Sequence, residues 1–319
     1  MKSKFYLAFL FTAYFLLPSG ARADKKRAAA PLPWGFVTHE TNVEGKPGSR
    51  KPAILKLGRG ALVNILEDKP RGATPWGRIR AIDPATLESV TGWVDASAIK
   101  IEPANLYPSD AELLKQMGGA YLEDLAASSA RIVRYVMAQG RRGPALVCFI
   151  GTPVLPQTRL QIFQSSNGKF IPGPYLEFPS SEMQSAITSL DVRDLAGDGN
   201  EFLVTHEPFK TQTHYDGVNM VIRKIEGDTL KTYWKAPLEF RNVASFPPRR
   251  QTLNPPENNI GTPGTITTGT VEFRARGQMS EPFWKGKIAF YVPGREEPLD
   301  TVTLEKLCPW NGSRFAPLQ

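Results

Sequence analysis

Four carboxylates lie within the eleven residues Asp191-Val-Arg-Asp194-Leu-Ala-Gly-Asp198-Gly199-Asn-Glu201. Hard oxygen donors at that spacing, with Gly199 permitting a sharp bend, suit Ca²⁺, and Asp194, Asp198 and Glu201 form the candidate ligand set. The same pattern describes a tight β-turn whose Asp side chains bond the turn amides. Asp191 with Asp194 or Glu201 could also supply the two carboxylates of a glycosidase, although two acids in a turn are far commoner.

Nucleophilic chemistry has little to draw on. The histidines are His39, His206 and His214, and the cysteines are Cys148 and Cys308. A catalytic thiol needs an activating base and an exposed, electropositive setting. Cys148 instead sits in the apolar run Ala145-Leu-Val-Cys-Phe-Ile150. Two cysteines permit one disulfide in an oxidising compartment, and a buried free Cys is an equally ordinary reading. There is no His-x-x-x-His pair, no paired-Cys zinc spacing, no Gly-x-Ser-x-Gly elbow and no phosphate loop.

The start of the chain bears on compartment. Lys2 and Lys4 precede the apolar run Phe5 to Leu17, and Pro18-Ser-Gly20 and Ala21-Arg-Ala23 follow it. That order predicts a cleaved secretory signal over 1–23, since the run falls short of the ~20 residues that span a bilayer. The expected location is periplasmic or secreted, and no later segment is long and apolar enough to cross a membrane. Cleavage removes three positive charges and no acid, taking the net charge from +8 to +5. The remaining bases are scattered, whereas nucleic-acid binding needs a clustered stripe, so that partner is not expected.

Residues 24–33 read as a flexible leader, charged and Pro-punctuated. A helical connector is expected over 103–144. Ser109 and Glu112 have capping-box spacing, and Leu122, Leu125, Ala126, Ile132, Val133, Val136 and Met137 fall at three-and-four spacing. Together they predict a helix from Ser109 to Gln139, split at Gly118-Gly119 and capped by Gly140.

Before that connector, short alternating runs are punctuated by Gly turns. Phe36-Val-Thr38 leads to Thr41-Asn42-Val43, then Gly45-Lys-Pro-Gly48 and Ala53 to Gly60. Ala61 to Leu66, Trp76-Gly-Arg-Ile-Arg80 and Thr91-Gly-Trp93-Val94 complete the series. In order and spacing, residues 34–102 resemble the bacterial SH3-like family. The resemblance implies a small β-barrel and recognition of peptides, often in the cell wall, with Asn42, Trp76 and Trp93 as candidate ligand-binding residues. Trp76 and Trp93 serve either as an aromatic platform or as part of the barrel core. The sequence departs from the family at Glu44, where Arg is common, and in a longer loop at 83–90.

From residue 145 to 319, strand-like runs alternate with turns. Leu160 to Pro172 and Leu304 to Pro317 each place Asn-Gly after a strand, and Val221 to Leu230 turns at Gly227. A Pro/Gly-rich loop is expected at about 247–265. The acidic stretch at 191–201, followed by Phe202-Leu-Val204, resembles the turn of FG-GAP/VCBS-type propeller blades, with Ala196 where such loops carry a ligand. A propeller needs four blades or more, so an incomplete propeller or a sandwich is expected.

The fold class expected is therefore mainly β: an SH3-like barrel, a short helical connector, then blade-like antiparallel sheets. The expected function is a non-catalytic, exported envelope protein that binds cell-wall peptide or another envelope protein. The alternative is a cell-wall glycan or peptide hydrolase.

Overall fold

A computed structural model of the chain describes residues 32–67, 75–117, 130–139, 143–151, 157–179, 187–210, 215–242, 264–291 and 297–318. The expected signal segment 1–23, most of the leader at 24–33, Gly140, the helical positions at 118–129 and nearly all of the loop at 247–265 lie outside them. The described chain is mainly β, with antiparallel sheets and one short helix.

The first strand, β1 (Trp34–Val37), pairs with β4 (Ala61–Glu67) on one side and β7 (Ile99–Glu102) on the other. Strand β4 also pairs with β5 (Trp76–Ile82), which returns as β6 (Ser89–Asp95). Between them the longer loop folds on itself, with Asp83 accepting from the Ala85 amide and the Thr86 hydroxyl and Leu87 buried. A separate pair, β2 (Thr41–Val43) and β3 (Leu55–Leu57), lies against β6. Asp95 caps a 3-10 turn, Ala96–Ala98, through the Ser97 amide at 2.8 Å before β7 begins. The closed barrel expected over 34–102 does not form, because β6 and β7 never pair. On β6, the Trp93 main chain is already bonded to Glu44 in both directions at 2.8 Å.

The expected long helix is corrected more sharply. Its start is right: the Ser109 amide donates to Glu112 at 2.7 Å and helix α1 spans Asp110–Met117. Residues Arg131–Ala138 instead form strand β8. Both faces of β8 are buried, Ile132 and Arg134 on one and Val133, Tyr135 and Met137 on the other. A strand buried on both faces reads as a continuous apolar run, which mimics helical spacing over so few residues. Its β-branched and aromatic content favours the extended form.

Strand β8 pairs with Ala61 and Leu62 of β4, then leads a meander of β9 (Pro144–Gly151), β10 (Gln157–Ser166) and β11 (Lys169–Pro179). The segment read as a connector thus joins the two parts into one nine-stranded sheet. The β10–β11 hairpin turns at Asn167 and Gly168, with φ of 51° and 73°, as the Asn-Gly pair requires.

The second sheet is a seven-stranded meander in chain order: β12 (Ser189–Arg193), β13 (Phe202–Lys210), β14 (Tyr215–Glu226), β15 (Thr229–Asn242), β16 (Gly264–Arg276), β17 (Met279–Tyr291) and β18 (Asp300–Leu307). The hairpin expected around Gly227 is the β14–β15 turn. The one expected at 304–317 is instead a tight loop, closed by a bridge between Trp310 and Phe315 with Asn311 accepting from the Ser313 and Arg314 amides. The sheets pack through a common core, with Val133, Tyr135, Val147 and Phe149 from the first and Leu190, Val192, Leu203 and Ile225 from the second. A further cluster holds Phe202, Trp234, Trp284, Cys308 and Phe315. Trp284 lies across β16 and β17 over Gly269 and Gly286, where any Cβ would strike its ring, and donates to the Pro237 carbonyl at 2.9 Å. Among the described residues no helix is long and apolar enough to cross a membrane.

Candidate functional site

The β5–β6 hairpin presents its chemistry on one side. Ile79, Ala81, Gly92 and Val94 are buried. Alternation then turns Trp76, Arg78 and Arg80 of β5 the other way. The register places Asp95, Trp93 and Thr91 opposite them in turn. Trp76 and Trp93 are half-buried diagonal neighbours in that face, close enough for long side chains to act together. Arg78 is held by Glu67 at 2.8 Å. Asn42 is exposed on β2, two residues before Glu44, whose main chain is tied to Trp93. All three candidate binding residues are therefore on adjoining strands. Glu44 accepts from the Ser49 amide at 2.8 Å and so closes the loop after β2.

Arg80 leads from this row into a cleft of about 300 Å³. The cleft exists because β4 divides its edge: Asn64–Glu67 pair with β5, while Ala61 and Leu62 pair with β8, and the two partners diverge. Asn64, Arg80, Asp110, Arg131 and Arg134 line it, beside Trp34. Arg134 is buried and fixed from three sides. It donates to the Pro108 carbonyl at 2.5 Å and to Asp110, and its guanidinium lies 4.7 Å from the Trp34 ring centre. Asp110 pairs with that one charge, and Arg80 and Arg131 bring two further guanidinium groups to the lining. Guanidinium groups grip carboxylates through paired hydrogen bonds. In the sequence this row is Trp76-Gly-Arg-Ile-Arg80, whose arginines carry no local mark of a cleft, and Arg131 and Arg134 lie in a run with helical spacing.

The acidic loop at 191–201 folds differently from a cation site. Asp194 accepts from the Gly197 and Gly199 amides at 2.8 and 2.9 Å. Asp198 accepts from the Asn200 amide at 2.9 Å and pairs with Lys224 at 3.2 Å. Burial pushes its pKa up, but those bonds outweigh it and hold the carboxyl below the usual range. Glu201 is buried, bonded to the Ala138 amide at 2.6 Å and the Arg59 guanidinium at 2.7 Å. The three carboxylates thus serve separate partners, and among the described residues no cluster of three or more metal-ligating side chains forms.

Cys148 and Cys308 are free and buried in different clusters. Burial pushes the Cys148 thiol up to about 12 and also raises Cys308. His39 is near the Thr38 hydroxyl at 3.1 Å, burial lowers the pKa of His206, and His214 is outside the described residues.

Comparison of the chain with protein-family models, curated proteins and solved structures finds no match.

Proposed function

We propose that this chain is a non-catalytic, exported binding protein of the bacterial cell envelope, holding a carboxylate-bearing peptide of the cell wall on its SH3-like module. The observation that carries the reading is the continuous row of Trp93, Trp76, Arg78 and Arg80 running into the arginine-lined cleft. Half-buried indoles offer apolar area with a polar edge. Arginines at the end of the row suit the free carboxylates that peptides carry. Strands form at the segments quoted for the SH3-like resemblance, though they do not close into a barrel. Export rests on the residue pattern at 1–23.

Pull-down of the chain from Asp24 onward with isolated cell wall, beside a wall-lysis assay, tests the proposal. Retention on the wall without lysis is expected, with retention lost in Trp76→Ala/Trp93→Ala. Lysis abolished by Asp194→Ala would instead establish a hydrolase.

A further inference from the structure

Strand β18 ends the seven-stranded sheet, with β17 on one side and no strand on the other among the described residues. Nearly all its residues are exposed. Leu299, Val302, Leu304 and Leu307 are 57, 37, 44 and 42 % exposed, four of the ten large apolar side chains that the described residues leave open. An edge of this kind is a template for another strand, and natural edges are usually blunted by Pro, bulges or charged side chains, of which β18 carries Asp300, Glu305 and Lys306. Asp300–Leu307 contains no proline, and its ladder to β17 runs without a register shift.

The outward backbone groups can be assigned. The Cys308 amide donates inward to the Pro282 carbonyl at 2.8 Å. Amides alternate along an antiparallel strand, so Thr301, Thr303 and Glu305 face out, with Thr301 donating to the Asp300 carboxylate at 2.7 Å. A second β18 can therefore pair antiparallel about a two-fold axis at Thr303. In that register Thr303 meets Thr303, Val302 meets Leu304 and Asp300 meets Lys306. Apolar groups meet apolar and the charges meet their opposites, each a favourable cross-strand pair. Val302 and Leu304 lie opposite Ile288 and Gly286 of β17, on the face that carries Trp284. Pairing would extend that apolar row across both copies. A self-complementary patch of this sort generates a closed two-fold dimer rather than a filament.

We infer that the chain associates with a second copy of itself through β18, in the register centred on Thr303. Sedimentation of the chain from Asp24 onward across a concentration series tests this. A concentration-dependent dimer is expected. Thr303→Pro removes only an outward amide, as an edge strand tolerates, and should give monomer whose melting temperature matches that of the parent chain at dilutions where the parent is monomeric. Lys306→Asp places like charges opposite each other and should weaken the dimer about tenfold. Adding Asp300→Lys to Lys306→Asp should restore it. Monomer at every concentration, dimer that persists in Thr303→Pro, or no rescue by the charge exchange would overturn the inference.

Discussion

The Arg59 guanidinium lies 2.7 Å from the Glu201 carboxylate, linking the turn before β4 to the acidic loop before β13. The other Glu201 oxygen accepts from the Ala138 amide at the end of β8, and the Glu201 amide donates back to the Ala138 carbonyl at 3.0 Å. One buried carboxylate therefore holds three segments that are far apart in the chain. Glu201→Ala takes away the acceptor of the Ala138 amide and frees a half-exposed arginine. The expected cost is about 2 kcal/mol in denaturant unfolding. Calcium is expected to leave the melting temperature unchanged, because the oxygens that would ligate it are already bonded within the protein.

Gly60 shows how closely the same turn is seated. Its φ is +85°, and a Cβ there would come within 2.7 Å of the Val136 carbonyl oxygen as well as striking Val192. Gly60→Ala combines backbone strain with a clash against β8 and β12. A loss of about 3 kcal/mol is expected by denaturant titration. Gly77→Ala meets nothing within 4 Å and serves as the mild comparison.

On β13 and β14, Glu207 holds Arg223 with both oxygens, one at 3.0 Å, while the Thr205 hydroxyl shares the other. Both charged side chains are largely buried. Glu207→Ala strands the arginine charge and should cost about 3–5 kcal/mol. Arg223→Met with Glu207→Leu should recover most of it, since an apolar pair of similar volume replaces the ions. Equilibrium unfolding of the two variants beside the parent chain measures both effects.

His206 sets an acid-side limit on stability. Burial lowers its folded pKa below the ordinary value, against the opposing pull of Asp191. The folded state thus prefers the neutral ring, and the unfolded chain takes up the proton first as pH falls. Stability is full above about 6.5 and declines below it towards the folded pKa. Melting temperatures from pH 8 to pH 5 should show this decline, with a shallower slope in His206→Gln.

The parts of this fold legible in the sequence were those governed by local chemistry. Asn167-Gly168 demanded positive φ and made the β10–β11 turn, and Ser109 with Glu112 started α1 where expected. The mainly antiparallel β class was likewise written in the short punctuated runs. What misled was long-range. Arg131 to Ala138 looks helical until both of its neighbours, β4 and β9, are known. The barrel stays open because Glu44 occupies the β6 edge, a pairing no local pattern announces. At the candidate site Asn42, Trp76 and Trp93 are marked by their motifs and lie on adjoining strands, whereas Arg80 and Arg131 line one cleft only because β5 and β8 leave the same edge of β4. Glu201 carried the right signal, a carboxylate with work to do, but its partner Arg59 is remote in sequence.

The tryptophan–arginine face is proposed to bind peptide carboxylates. Calorimetric titration of the chain from Asp24 onward with soluble cell-wall peptides tests it most directly. Saturable binding is expected, weakening as salt rises and falling at least about tenfold in Arg80→Ala/Arg131→Ala, with the melting temperature unchanged. Absence of binding, or binding indifferent both to those arginines and to Trp76→Ala/Trp93→Ala, would contradict the account.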